Sequence, residues 1–150
     1  MTLPISVTGK IVEGHGVASG RSTSSPYPGG SLIRQLPHFE KLNVPLGNFF
    51  LGTINVDIAP RAMALIAWDY AARQITWTEL IPSEDFFFSH CRIRYEGSTK
   101  DAMIYYPSPE TKVENFHNPN IVEILAAKIE SLRIGDPIEL LLNPAHCSVT

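Results

Sequence analysis

The sequence predicts a mainly β fold, a small closed barrel with one or two short helices, and three observations predict it. Apolar residues recur with period two in several short stretches, turn-forming residues punctuate them, and little of the chain has helical periodicity. With 150 residues and 44% hydrophobic content the chain is long enough for a real core. Residues 1–150 are therefore expected to form a single barrel domain.

Taken in order, SVTGKIVEG (6–14) alternates as a strand, and GHGVASGRSTSSPYPGG then concentrates Gly, Ser and Pro, which predicts a long loop. Loops of this length in a compact domain tend to be functional or disordered. SLIRQLPHFEKLN predicts a short helix over 32–42, disturbed by Pro37, which lacks an amide proton and crowds the preceding turn. GTINVDI (52–58) alternates Ile54, Val56 and Ile58 with Thr53, Asn55 and Asp57, so one face is apolar and the other carries oxygen-bearing side chains. The Ala-rich start of AMALIAWDYAARQ admits a helix. Residues 75–80 and 91–95 alternate as strands, AMIYYPSP, IVEILAA and PIELLL supply further apolar runs, and a second short helix is expected over 126–132 before a turn at 134–136.

Charge and cysteine usage narrow the partners. A formal net charge of -3 gives no broad basic surface for duplex nucleic acid, so small ligands are expected and nucleic acid is not. Two cysteines make no disulfide framework, no secretory leader pattern stands at the start, and no apolar run is long enough to span a bilayer. The expectation is a cytoplasmic protein without membrane contact.

Two stretches carry chemistry. In GHGVASG, three glycines leave backbone amides unobstructed for phosphate oxygens, although the pattern is not G-x-x-x-x-G-K-[ST], since Arg21 follows Gly20. Taken alone it is a flexible surface loop. In GTINVDI, Thr53 and Asn55 lie two apart on one side of a strand, where a hydroxyl and an amide oxygen can reach one hard cation that keeps water and phosphate oxygens as its other ligands. Magnesium suits that pair, and a solvated strand face is the commoner meaning of an isolated T-x-N.

The order GKIVEGHGVASG, GTINVDI, NPNIVEILAA and LRIGDPIEL, from Gly9 to about Leu141, resembles the archaeal-type CTP-dependent riboflavin kinases. The resemblance implies a six-stranded cradle-loop barrel that transfers the terminal phosphate of CTP to the 5′-hydroxyl of riboflavin, giving FMN and CDP. It implies a nucleotide-binding loop at Gly14, His15, Gly16, Val17, Ala18 and Ser19, and magnesium (Mg2+) on Thr53 and Asn55. It also implies that Glu123 contacts the flavin beside the accepting hydroxyl, as the catalytic carboxylate, and that a flavin-contacting threonine precedes it. Thr111 matches that threonine by motif and Asn115 by spacing. A non-catalytic nucleotide or flavin binder on the same barrel is the alternative, and a DNA-binding relative the third.

Remaining reactive residues have plainer readings. SHC (89–91) and AHC (145–147) each place His beside Cys, but neighbours on a strand point to opposite faces, which argues against a shared metal. His15 alone gains from its place in the phosphate loop. Phe86, Phe87 and Phe88 cannot all face one core, so one is expected to edge a pocket or an interface. Trp68, Trp77 and Tyr95 are expected in the core, and Arg92 and Arg94 on one solvated face.

Overall fold

The computed structural model describes residues 3–13, 31–50, 52–79, 82–110 and 118–150. Its elements are β1 (Ile5–Val12), α1 (Ser31–Lys41), β2 (Ile54–Asp57), β3 (Met63–Leu65), β4 (Tyr70–Ile75), β5 (Glu84–Tyr95), β6 (Ser98–Pro107), β7 (Ile121–Leu125), β8 (Pro137–Leu142) and β9 (Cys147–Val149). Strands β5-β6-β7-β2-β1-β8 pair in that order, all antiparallel, and β8 returns to β5. The result is a closed six-stranded barrel. β4 flanks β5, and β3 pairs with β9 in a separate ribbon.

Closure depends on the length of β5. Its start, Phe86 to Phe88, pairs with β4, and its end, Arg92 to Arg94, pairs with Leu141, Leu140 and Glu139 of β8. Between β5 and β6 the chain reverses through Glu96 and Gly97, both at positive φ (52° and 77°), the backbone of a two-residue hairpin turn whose twist suits the flanking strands.

Alternation fills the barrel. From Cys91 onward β5 sends Cys91, Ile93 and Tyr95 inward and leaves His90, Arg92 and Arg94 exposed, and Val7, Ile11, Val56, Ile104, Ile124 and Leu140 complete the interior. The first half of β5 is buried on both faces. Phe87 belongs to the barrel interior while Phe86 and Phe88 join a second core outside it, under α1. All three rings are buried, so the expected pocket-edging phenylalanine is absent here: the helix supplies the second cover.

The helix forms because Leu32, Leu36 and Phe39 recur at helical spacing and meet that outer sheet face. Phe39 sits edge-on to Phe86 and Phe88, with centroids 5.2 and 5.0 Å away. Pro37 does not break it. The proline is exposed, on the side of the helix away from the core. Asn43 ends the helix at φ 60°, and the amides of Val44 and Asn43 bond the carbonyls of Phe39 and Glu40, a Schellman arrangement whose apolar contact is Val44 with Phe39.

Two local expectations need correction. No helix forms over 126–132: the Ala126 carbonyl accepts from Phe50 N, the Tyr95 hydroxyl lies 3.0 Å from the Ser131 carbonyl, and Ile129 and Leu132 pack against the barrel. Those tertiary partners outcompete a helix too short to stand alone. The strand expected over 75–80 instead ends at Ile75, where a bulge and Gln74 at φ 53° turn the chain, with Gln74 N bonded to Asp85. The Ala-rich stretch gives β3 and β4 and no helix. Among the described residues no helix is long and apolar enough to cross a membrane.

Candidate functional site

β2 is short and lies between β1 and β7. Asn55 is the Cα partner of Val12 on one side and of Glu123 on the other. Directly opposed residues of antiparallel strands share a face. Because Ile11, Val56, Val122 and Ile124 fill the interior, Asn55 and Glu123 lie on the outer face, both half-buried. Thr53, two residues before Asn55, keeps that face, and its hydroxyl donates to Glu123 Oε1 over 3.4 Å, a long hydrogen bond between residues 70 positions apart.

The strip continues on the other side of Glu123. Met103 and Ile104 of β6 pair with Leu125 and Ile124, and Tyr105, next along β6, lies close enough to Glu123 to feel its charge. Tyr105 is buried, and its hydroxyl donates to Gln35 Oε1 of α1 at 2.7 Å. Burial first, then the negative charges of Glu123 and Glu84, hold the Tyr105 phenol well above the usual tyrosine range, and the Gln35 hydrogen bond opposes them. At neutral pH it is a neutral donor.

Gln35, Tyr105, Glu123, Asn55 and Val12 thus form one transverse row from α1 across β6, β7, β2 and β1. With strands about 4.8 Å apart, Tyr105 to Val12 spans roughly 14 Å. Thr53, Asn55 and Glu123 share this strip. β1 ends at Val12, beside Asn55, and the chain enters the glycine-rich segment from there. Gly14, His15, Gly16, Val17, Ala18 and Ser19 lie outside the described residues, as do Thr111 and Asn115.

The donor set has a definite chemistry. Thr53 offers a hydroxyl, Asn55 an amide oxygen and Glu123 a carboxylate, with no nitrogen or sulfur ligand among them. Oxygen donors suit a hard divalent cation such as magnesium, which keeps several waters and takes phosphate oxygens readily.

Tyr105 and Gln35 were not among the residues singled out from sequence. Gln35 had a signal: it is the polar member of the helix face formed by Leu32, Leu36 and Phe39, and it is 2% exposed. A polar side chain on a buried stripe needs a partner, which here is a tyrosine 70 positions away.

The histidine and cysteine pairs separate as the strand geometry predicts. His90 points out and Cys91 in, while Cys147 is buried and His146 is half-buried. Among the described residues no three His, Cys, Asp or Glu side chains are grouped to hold a metal. Burial pushes the Cys91 thiol up to about 12, with Cys147 adding to it, and burial pushes Cys147 up to about 11, so neither is a nucleophile at neutral pH. His146 Nδ1 lies 2.8 Å from Ser89 Oγ and 3.8 Å from Asp69 Oδ2. Serine and carboxylate meet the same ring nitrogen, and Ser89 is wholly buried, which is packing geometry and not that of a hydrolase triad. Neither a scan against protein-family models nor a search of curated proteins gives a match to this sequence.

Proposed function

We propose that this barrel is a CTP-dependent, magnesium-requiring phosphotransferase that converts riboflavin, or a related small alcohol, to its 5′-phosphate. The observation that carries the reading is the convergence of Thr53, Asn55 and Glu123 on one outer strip beside the end of β1. Phosphoryl transfer asks little covalent help of a protein; it needs alignment and charge neutralisation. In the reaction the oxygen of the alcohol bonds to the terminal phosphorus of CTP, the bridging P–O bond breaks, and CDP leaves with the electron pair. Magnesium, when bound, neutralises charge on the transferring phosphate. Thr53 and Asn55 would hold it, and Glu123 orients the accepting hydroxyl and receives its proton.

The test is turnover of γ-labelled CTP with riboflavin and a panel of small alcohols at saturating magnesium. Labelled FMN, or another labelled phosphate ester, is expected. Tight binding of nucleotide or flavin with no transfer to any alcohol would sink the kinase and leave a non-catalytic nucleotide- or flavin-binding protein on the same barrel.

A further inference from the structure

We infer that Glu123 is itself a ligand of the cation, completing a three-oxygen seat with Thr53 and Asn55 that binds a divalent ion before any nucleotide arrives. The inference deepens the reading above by changing the place of the carboxylate, from the acceptor alone to the ion as well.

Two geometric facts carry it. Adjacent ligands of an octahedral magnesium, each about 2.1 Å from the ion, stand about 3.0 Å apart. Thr53 Oγ1 and Glu123 Oε1 are 3.4 Å apart, so a small rotamer adjustment lets both bind one ion. Asn55 and Glu123 are direct cross-strand partners on the same face, which brings their Cβ atoms within about 5.5 Å. An ion held by Thr53 and Asn55 is therefore within reach of the carboxylate. Placing it there replaces a long, weak hydroxyl–carboxylate hydrogen bond by two ion–oxygen contacts.

Charge points the same way. A hydroxyl and an amide oxygen are neutral, and magnesium loses hydration water reluctantly, so two neutral ligands alone bind it only when phosphate supplies the negative charge. A carboxylate on adjacent β7 removes that dependence. All three donors sit on or next to paired strands, β2 and β7, so the seat is rigid.

The experiment uses manganese as the spectroscopic substitute for magnesium, titrated into the full chain without nucleotide and followed by electron paramagnetic resonance. One bound ion per chain is expected, displaced by excess magnesium, with paramagnetic broadening of the Val12, Asn55 and Glu123 amide resonances in the wild type. Glu123→Gln should weaken that binding by about ten-fold or more, because ligand charge sets affinity. Glu139→Gln, a carboxylate of β8 paired with Arg94, should leave it unchanged. Unchanged affinity in Glu123→Gln, broadening elsewhere, or ion binding only when CTP is present each overturns the inference. If Glu123→Gln does not fold, the wild-type broadening pattern decides. An ion bound at Glu123 without turnover on any alcohol would sink the phosphotransferase and leave the metal seat standing.

Discussion

Gly9→Ala is the sharpest test of how tightly β1 is set against β2. Gly9 lies within β1, opposite Ile138 of β8, and its backbone is not in the left-handed region. Conformation alone therefore favours alanine, by about 0.5–1 kcal/mol through the unfolded chain. Space decides otherwise. A Cβ on Gly9 would stand 2.6 Å from Val56 Cγ1, 2.7 Å from the Asp57 carbonyl oxygen and 3.1 Å from Ile58 Cγ2. Val56 is wholly buried and β-branched, so its χ1 is restricted, and the Asp57 oxygen is backbone. β2 must move away from β1 by several tenths of an ångström. Overpacking of this kind costs about 1–3 kcal/mol, and two contacts below 3.0 Å put Gly9→Ala at the upper end. Less the conformational gain, the net loss is about 2 kcal/mol. In a domain of this size that lowers the melting temperature by about 4–8 °C, and the urea midpoint falls by roughly 1 M. Urea unfolding followed by Trp68 and Trp77 fluorescence measures it. Gly47→Ala, with nothing within 4 Å of its added Cβ, is the control and should lie within about 0.5 kcal/mol of the wild type. A Gly9→Ala protein as stable as the wild type would refute the reasoning.

On the proposed function, Asn55→Ala should lower phosphoryl transfer about 100-fold or more while changing the urea stability by less than about 1 kcal/mol, since the side chain is half-buried and polar. At saturating magnesium Glu123→Gln should leave CTP affinity nearly intact, by calorimetry, and lower transfer by about two orders of magnitude. Phe39→Ala empties the joint between α1 and the sheet and should cost about 3–5 kcal/mol, measured by the same urea curves. The Cys91 thiol is raised from 9.0 to about 12 in the folded chain, so above pH 9 the unfolded chain holds fewer protons than the folded one. Stability is thus full below pH 9 and falls as pH rises towards 12. Urea midpoints from pH 8 to 10.5 should show that decline, shallower in Cys91→Ala, with Cys147 and the raised phenols of Tyr95, Tyr105 and Tyr106 contributing the remainder.

What could be read along the chain was whatever local periodicity encodes. The helix expected over 32–42 is α1 almost to the residue, because Leu32, Leu36 and Phe39 carry their own spacing. The two-faced character of 52–58 was equally plain, and it put Thr53 and Asn55 on one side. Periodicity misled where tertiary contacts produced it: Ile75 and Trp77 alternate because both reach the core under α1, on either side of the chain's exit from β4. The pairing of Asn55 with Glu123 was not legible. Strand register between segments 70 residues apart is chosen by the closing of the whole sheet, and no local pattern states it. The Tyr105–Gln35 pair was hidden for the same reason.

Because β8 closes the ring against both β1 and β5, the order of synthesis matters to this barrel. β1 is made well before β8, so during translation its outer edge waits through more than a hundred residues with no strand to pair with, and the end of β5 waits with it. Unpaired edges invite pairing with other chains. Lys10 on β1, and Arg92 and Arg94 on β5, place exposed positive charges along the two waiting edges, where they repel one another between nascent chains. After closure Arg94 is taken over by Glu139 of the strand that arrives last, so one side chain guards the gap first and then latches it.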